Sequence, residues 1–322
     1  MTALLEQVET PPAWVDPLML HSGDAVSLSI TPMWFGLRAI TSALTHTYAS
    51  PATARLLRRT DKPRQTVARR LAESRVWARQ TIRPGGLLRG EPGYVTTVGA
   101  RLRHARLRAT ALTDWDSGGP ALPIGRLDVA RTWLGFTLVA HHALAAVGIG
   151  TTSEEERHLY RYWSCVAHLL GLDEILYRPV VDHAGACHLR DLLDAMAPAP
   201  DGTSRTATAA VIGAHAHATA HAPGAALYED ELRDLIHCLL RRSLGGTAAD
   251  RLGIPDVAAA AGLMPLNKTL NRQARYWQTF FLATAQTARR QAAEEPGPEP
   301  EPIAAVLPLG VALRRRSSTP AA

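Results

Sequence analysis

Residues 98–108 read Val-Gly-Ala-Arg-Leu-Arg-His-Ala-Arg-Leu-Arg and open a stretch, Val98 to Gly148, around which the chain is organised. From Ala100 to Leu112 the pattern is helical and no residue interrupts it. The apolar face of this helix carries Leu102, Ala105 and Ala109. Three polar residues follow its edge at positions i, i+3 and i+7: Arg101, His104 and Arg108. Cations and an imidazole therefore border an apolar face.

Arginines in this position have two explanations. They can bury their aliphatic stems against the core and keep the guanidinium groups in water. Alternatively, they line a cavity and bind an anionic group there, since arginine is the usual partner of propionates, carboxylates and phosphates. The spacing alone leaves both explanations open.

The composition favours helices. The chain has 322 residues, of which 46% are hydrophobic, so it can bury a substantial core. Alanine and arginine are abundant while phenylalanine and tyrosine are sparse, and no stretch alternates as a strand would. The net charge of +6 is spread thinly along the chain. We therefore predict an all-α fold, a single multi-helix bundle.

The cysteines and the apolar runs bear on compartment. The three cysteines, Cys165, Cys187 and Cys238, are widely separated, with neither zinc-ligand nor haem-attachment spacing. The first 16 residues contain acids and prolines rather than the apolar core of a signal peptide. No run approaches the ~20 apolar residues that span a bilayer. We expect a cytoplasmic protein with no transmembrane segment.

The prolines suggest three parts. Residues 1–32, with Pro11, Pro12, Pro17 and Pro32, are expected to be irregular. Residues 33–293 form the helical domain. Residues 294–322 begin with a spacer rich in proline and glutamate and end in a basic tail, and this composition predicts disorder.

Four helices are most clearly marked, at 64–82, 127–148, 153–170 and 229–244. Ser153 and Glu156 form a potential capping box for the third, and Gly171 would end it. Residues 87–94 are rich in glycine and are expected to be a connection rather than a helix.

Histidines 215, 217 and 221 resemble a metal-binding cluster, but the spacing is weak evidence. His217 and His221 share a helix face at i, i+4, whereas His215 does not. No carboxylate stands between them as in zinc peptidases. The sequence does not favour a metal site here.

His141 and His142 lie on the predicted helix at 127–148. His141 lies closer to the apolar face, whereas His142 shares the opposite side with Arg131 and Gly135. A core histidine is more often simply hydrogen-bonded than a ligand. In an all-helical protein, however, a haem pocket needs only an axial imidazole, apolar walls and arginines for the propionates.

The order of motifs resembles one family. Arg-Leu-x-His-Ala-x-x-Arg at 101–108 is followed by Trp115-Asp116 and by Gly-x-x-x-Pro-Ile-x-x-x-Asp at 119–128. An aromatic helix ending in Leu-x-x-x-Gly follows, and then Ser-x-Glu-Glu, Tyr-x-x-Trp and Leu-Leu-Gly-Leu within 153–172. This series is similar to the catalytic domain of rubber oxygenases (latex-clearing proteins) and MpaB-type oxygenases, over roughly residues 34–285.

The resemblance implies a globin-like bundle that holds haem b and uses dioxygen to cleave double bonds of an apolar, isoprenoid or polyisoprenoid substrate. Matched by position, Arg101, His104 and Arg108 fall on the family's motif near the cofactor. His104 and Arg101 are then the candidate catalytic residues. The chain departs from the family's pattern at residues 125–128, where many members have Asn-Gln-Glu-Asp and this chain has Gly-Arg-Leu-Asp.

The histidine that would ligate the iron is not fixed by the motif. His141 is the first choice because of its apolar surroundings, His142 the second and His104 the third. Arg101 and Arg108 would bind the cofactor beside it. Gly135 matters to the second choice, because a residue without a side chain would leave space for a flat macrocycle on the side of His142.

A non-enzymatic function is the rival hypothesis: a basic helical protein that binds nucleic acid or acts as a scaffold. Nucleic acid is not an expected partner, since the sequence has no helix-turn-helix signature. The basic residues are also not gathered on one recognition helix.

Overall fold

The computed structural model describes residues 2–29, 41–58, 63–114, 124–223, 225, 227–257, 264–280, 285–287 and 289–290. Within these ranges the secondary structure is helical and contains no strand, so the predicted all-α fold is confirmed. In the first half the helices are α1 (Thr2–Glu9), α2 (Pro17–Leu28), α3 (Thr41–Tyr48), α4 (Pro51–Arg58), α5 (Pro63–Ile82), α6 (Pro92–Asp114), α7 (Arg126–Leu134) and α8 (Ala140–Ala145).

A π-helical turn, Gly135–Val139, joins α7 to α8. The later helices are α9 (Ser153–Leu170), α10 (Glu174–Tyr177), α11 (His183–Met196), α12 (Gly202–Ala220), α13 (Glu229–Leu244), α14 (Gly246–Arg251) and α15 (Met264–Phe280). None of the helices in the described ranges combines the length and apolar composition needed to cross a membrane.

The expectation of an irregular start is wrong for α1 and α2. Pro17 occupies the first turn of α2, where a missing N–H costs nothing, and the Asp16 carboxylate accepts a hydrogen bond from Met19 N at 2.8 Å. Gly23 lets α2 approach α9 closely, since a Cβ there would lie 2.3 Å from Cβ of Tyr162. The proline therefore begins a packed helix instead of preventing one.

The centre of the core is the segment α7–π turn–α8. Its predicted continuity from 127 to 148 is confirmed up to Ala145, with the π turn as an irregularity that the pattern did not show. The Nε1–H of Trp133 donates to the carbonyl of Trp163 at 2.8 Å and ties α7 to α9. The five largest fully buried side chains are Trp133, Trp163, Tyr160, Tyr162 and Tyr177.

Helix α9 has its predicted bounds, but its capping box lies one residue earlier than expected. Thr152 and Glu155 form it, and Glu156 accepts a hydrogen bond from the backbone N–H of His183 instead. Gly171, with φ of 76°, ends the helix as predicted. Both carboxylate oxygens of Glu155 also accept hydrogen bonds from the guanidinium group of Arg275 in α15, at 2.7 and 2.8 Å.

One further boundary differs from expectation. The predicted connection at 87–94 is partly wrong, because α6 begins at Pro92. The predicted spacer and tail at 294–322 lie outside the described residues, so that prediction stays untested.

Candidate functional site

A cavity of about 440 Å³ lies between α3, α5, α6 and α7. This volume is within the range of small-molecule and cofactor sites. Much of its wall is apolar and is formed by Leu44, Leu56, Trp77, Ala100, Leu107, Ile124, Phe136 and Leu170. Such a wall suits an apolar or largely apolar ligand.

Aromatic rings give one side of this cavity a fixed shape. Trp77 and Phe136 pack edge to face with ring centroids 4.8 Å apart, and Trp163 lies behind both at 6.0 and 6.2 Å. The Nε1–H of Trp77 donates to Oγ1 of Thr97 at 2.9 Å, which holds the indole in place. The wall is therefore preorganised rather than free to collapse.

The charged residues of the cavity lining are mostly arginines. The cavity is lined by four of them, Arg69, Arg70, Arg103 and Arg106, against two acids, Glu73 and Asp128. The Asp128 carboxylate is already engaged, accepting from Oγ of Ser50 at 2.8 Å and from Gly125 N at 3.0 Å, where it caps α7. The lining thus has a positive excess beside an apolar wall, as an amphiphilic anion requires.

His104 contributes an imidazole to the same cavity. Its Nδ1 is buried and has no hydrogen-bond partner among the described residues. Burial, together with Arg103, Arg108 and Arg70, lowers the pKa of His104 to about 4. The ring is therefore neutral at pH 7, the form in which imidazole binds a metal.

Arg101 and Arg108 do not line this cavity, although they share a helix edge with His104. Arg101 donates to Oε1 of Gln7 at 2.8 Å and packs against Gly171. Burial and the neighbouring Arg108 lower the pKa of Arg101. Its contacts therefore tie α6 to α1 and to the end of α9.

Arg108 acts on the cavity through Ile124. It donates to the Ile124 carbonyl at 2.9 Å, and the Ile124 side chain is part of the cavity wall. Ile124 has φ of 58°, a left-handed conformation that a β-branched residue rarely adopts. The hydrogen bond to Arg108 helps to hold this unfavourable backbone in place.

His141 and His142 lie elsewhere, in a second cluster. Neither lines the cavity. The His141 ring is 6.2 Å from that of His183, and the His142 ring is 5.5 Å from it. The Tyr160 hydroxyl is hydrogen-bonded to Nδ1 of His183 at 2.8 Å. We call these four residues, His141, His142, His183 and Tyr160, the histidine cluster.

The expected difference between these two histidines is confirmed: His141, placed nearer the apolar face, is buried, whereas His142 is half-buried. His141 donates from Nδ1 to the Thr137 carbonyl at 2.5 Å. Burial lowers the pKa of His141 to about 4, against the opposing effect of that hydrogen bond. The Nδ1 atoms of His141 and His183 are therefore both already hydrogen-bonded.

The space predicted beside Gly135 does not exist. A Cβ at Gly135 would lie 3.0 Å from the Ala43 carbonyl oxygen and 3.3 Å from its Cα. The missing side chain lets the backbone of α3 pack directly against the π turn. No macrocycle can occupy this position, which removes one reason for choosing His142 as a ligand.

One feature of the cavity and one of the histidine cluster were missed in the sequence. Asp128, Thr132 and Phe136 all line it, at i, i+4 and i+8 on the segment α7–π turn. This spacing was visible in the sequence, but only the packing shows that the face it defines borders an open space. His183 and Tyr160 were missed for a similar reason, because α9 and α11 bring them to His141.

The three histidines of α12 separate as their spacing predicts. His215 is buried and hydrogen-bonded to Oγ1 of Thr41. His217 and His221 are exposed, with ring centroids 4.1 Å apart. Glu229, from the start of α13, lies beside them.

No protein-family model matches the chain. The rubber oxygenase of Streptomyces sp. (strain K30) is 26% identical over 165 residues, which cover 50% of this chain and 38% of that protein. The matched part is thus less than half of that relative. A solved structure of latex clearing protein in the closed state matches with a TM-score of 0.65 at 19% identity, covering 90% of this chain and 77% of that one. These likenesses confirm the resemblance drawn from the motifs, and the structural match confirms the fold.

Proposed function

We propose that this chain is a haem b-dependent oxygenase that uses dioxygen to oxidise or cleave a carbon–carbon double bond of an apolar, isoprenoid-like substrate. The similarity to rubber oxygenase supports the reaction class. The observation that carries the proposal for this chain is the imidazole of His104, which lines an apolar cavity and leaves its buried Nδ1 without a partner.

The residues of the cavity fit a haem. His104 would hold the iron, since a neutral imidazole in an apolar pocket is the usual axial ligand. The aromatic side chains of Trp77 and Phe136 would contact the macrocycle. Arg69 and Arg106 also line the cavity, and their guanidinium groups suit the two propionates of a haem.

His141 is the rival ligand. Its hydrogen bond to the Thr137 carbonyl is the kind of contact that orients a metal-bound histidine. It lies, however, among the packed rings of the histidine cluster and not at the cavity. We therefore place the iron at His104 and assign His141 to the supporting core.

The haem, when bound, would supply the activation of dioxygen. The chain's own residues supply the surroundings. The apolar wall excludes water and accepts a hydrocarbon. Arg108 keeps the wall in shape through Ile124. Arg101 and Arg108 thus act as positioning residues.

The cavity wall bears on the substrate, and the cysteines bear on the compartment. The apolar part of the cavity wall favours an isoprenoid chain as the substrate. All three cysteines are unpaired thiols, as is usual in the reducing cytoplasm where we place the protein.

Reconstitution tests the proposal. The full chain, purified and titrated with haemin, should bind one equivalent and develop a Soret band. With a short isoprenoid hydrocarbon as substrate it should consume dioxygen and yield oxidised products. A chain that folds but fails to bind haemin would contradict the proposal and favour the non-enzymatic alternative.

A further inference from the structure

Helices α12 and α13 bring three metal-ligating side chains together on the surface. His217 lies in the last turn of α12, His221 caps its end, and Glu229 opens α13. One ligand atom from each residue lies within 4.8 Å of the other two. Two imidazoles and a carboxylate form a common donor set for divalent transition metals.

The hydrogen bonds orient these groups as ligands. Nδ1 of His221 donates to the carbonyl of His217 at 2.8 Å, which leaves Nε2 of His221 as its free nitrogen. Metal-binding histidines commonly have their second nitrogen fixed in this way by a backbone carbonyl. The orientation of His221 is therefore set by the end of the helix itself.

The contact between His217 and Glu229 is already close to ligand spacing. Nδ1 of His217 lies 3.0 Å from Oε2 of Glu229. Two ligand atoms bound to one tetrahedral zinc at about 2.0–2.1 Å are separated by about 3.3 Å. A metal ion could thus replace the proton between these atoms with a small outward shift of either side chain.

Arg233 fixes the other half of the carboxylate. Its guanidinium donates to Oε1 of Glu229 at 2.7 Å and leaves Oε2 for His217. The positive charge lowers the attraction for a cation, but the contact also holds the carboxylate in one orientation. The arrangement favours a metal with strong affinity for imidazole over calcium or magnesium.

We propose that His217, His221 and Glu229 bind a divalent transition metal of the zinc type, with water completing the coordination. The ion would link the end of α12 to the start of α13. It is independent of the haem proposed above, because none of the three residues lines the cavity.

Zinc titration of the tag-free full chain, in competition with a chromogenic chelator, tests this site. We expect one zinc per chain, with the affinity falling about tenfold or more in His221→Gln and in Glu229→Gln. His188→Gln, a change at an exposed histidine of α11, is the matched control and should bind as the parent chain does. Zinc should also raise the melting temperature of the parent chain but not of His221→Gln.

The proposal is overturned if the chain binds no zinc, or if His221→Gln and Glu229→Gln bind it as tightly as His188→Gln does. Cobalt gives a second readout that does not depend on oxygenase activity. The substituted protein should show the intense visible bands of a tetrahedral site, and their absence would equally contradict the assignment.

Discussion

The cavity and the histidine cluster place the same side chain in two different situations. His104 is half-buried and His141 is buried, and burial lowers the pKa of each to about 4. His104, however, borders the cavity and has an unpartnered Nδ1, whereas His141 is hydrogen-bonded to Thr137 and lies 6.2 Å from the ring of His183. A buried histidine is therefore a better ligand candidate when its surroundings leave it unsatisfied.

The charges separate the two regions further. The cavity has four arginines in its lining and two acids, one of which caps a helix. In the histidine cluster, Glu156 accepts the backbone N–H of His183, and Tyr160 binds the ring of the same residue. The cavity offers charge to a ligand, while His183 in the cluster is already hydrogen-bonded through its backbone N–H and its ring.

Acidification should produce the largest effect on stability. An unfolded histidine has a pKa near 6.5, whereas His141 in the folded chain has one of about 4. As the pH falls through this window the unfolded state gains protons first, so stability is present above about 6.5 and is lost towards pH 4. The contribution of His141 is about 3 kcal/mol. Denaturant unfolding at several pH values measures it.

His141→Gln is the control for this pH dependence. The variant lacks the titrating group, so its stability should fall less between pH 6.5 and pH 4. If both chains lose stability in parallel, His141 does not stay neutral in the fold and the description of the histidine cluster is wrong.

The next largest effect is expected when each histidine is replaced by alanine at neutral pH, because the two replacements should lower the free energy of unfolding by different amounts. His141→Ala removes a packed side chain and its hydrogen bond, and should lower the free energy of unfolding by about 2 kcal/mol. His104→Ala should cost less than about 1 kcal/mol, because its ring borders a cavity and its Nδ1 has no partner to lose. Urea unfolding of the haem-free chains measures both values. Equal losses of unfolding free energy in the two variants would contradict the distinction between the cavity and the histidine cluster.

A smaller effect is expected at Tyr160. Tyr160→Phe keeps the buried ring and deletes the hydroxyl bound to His183. The loss should be about 1 kcal/mol, with no change in haem affinity. Unfolding and haem titration of the same preparation provide both readouts, and a weakened haem affinity would show that the cluster supports the cofactor directly.

Local patterns in the sequence predicted much of the fold. Helices α5, α9 and α13 have bounds within a residue of those expected, because each is delimited by prolines, glycines or acidic caps. The same cues failed at Pro17, since a proline in the first turn starts a helix as readily as it prevents one elsewhere. Distinguishing the two cases needs the packing of α2 on α9.

The sites were less predictable because they depend on contacts between helices. The sequence indicated His104 and the burial of His141, but not which of them borders a cavity. The π turn at Gly135–Val139 shifts the faces of α7 and α8 relative to a regular helix, and this shift has no clear pattern in the residues. Likewise, the spacing of His217 and His221 gave no third ligand, because Glu229 comes from the next helix.

The haem content of His104→Ala and His141→Ala, compared with the parent chain, tests the central assignment most directly. Both variants would be titrated with haemin after circular dichroism shows that they are folded. We predict that His104→Ala loses the Soret band of the axially ligated haem, while His141→Ala keeps it at reduced stability. If His141→Ala loses the band and His104→Ala keeps it, the iron lies at the histidine cluster and the assignment of the cavity is wrong.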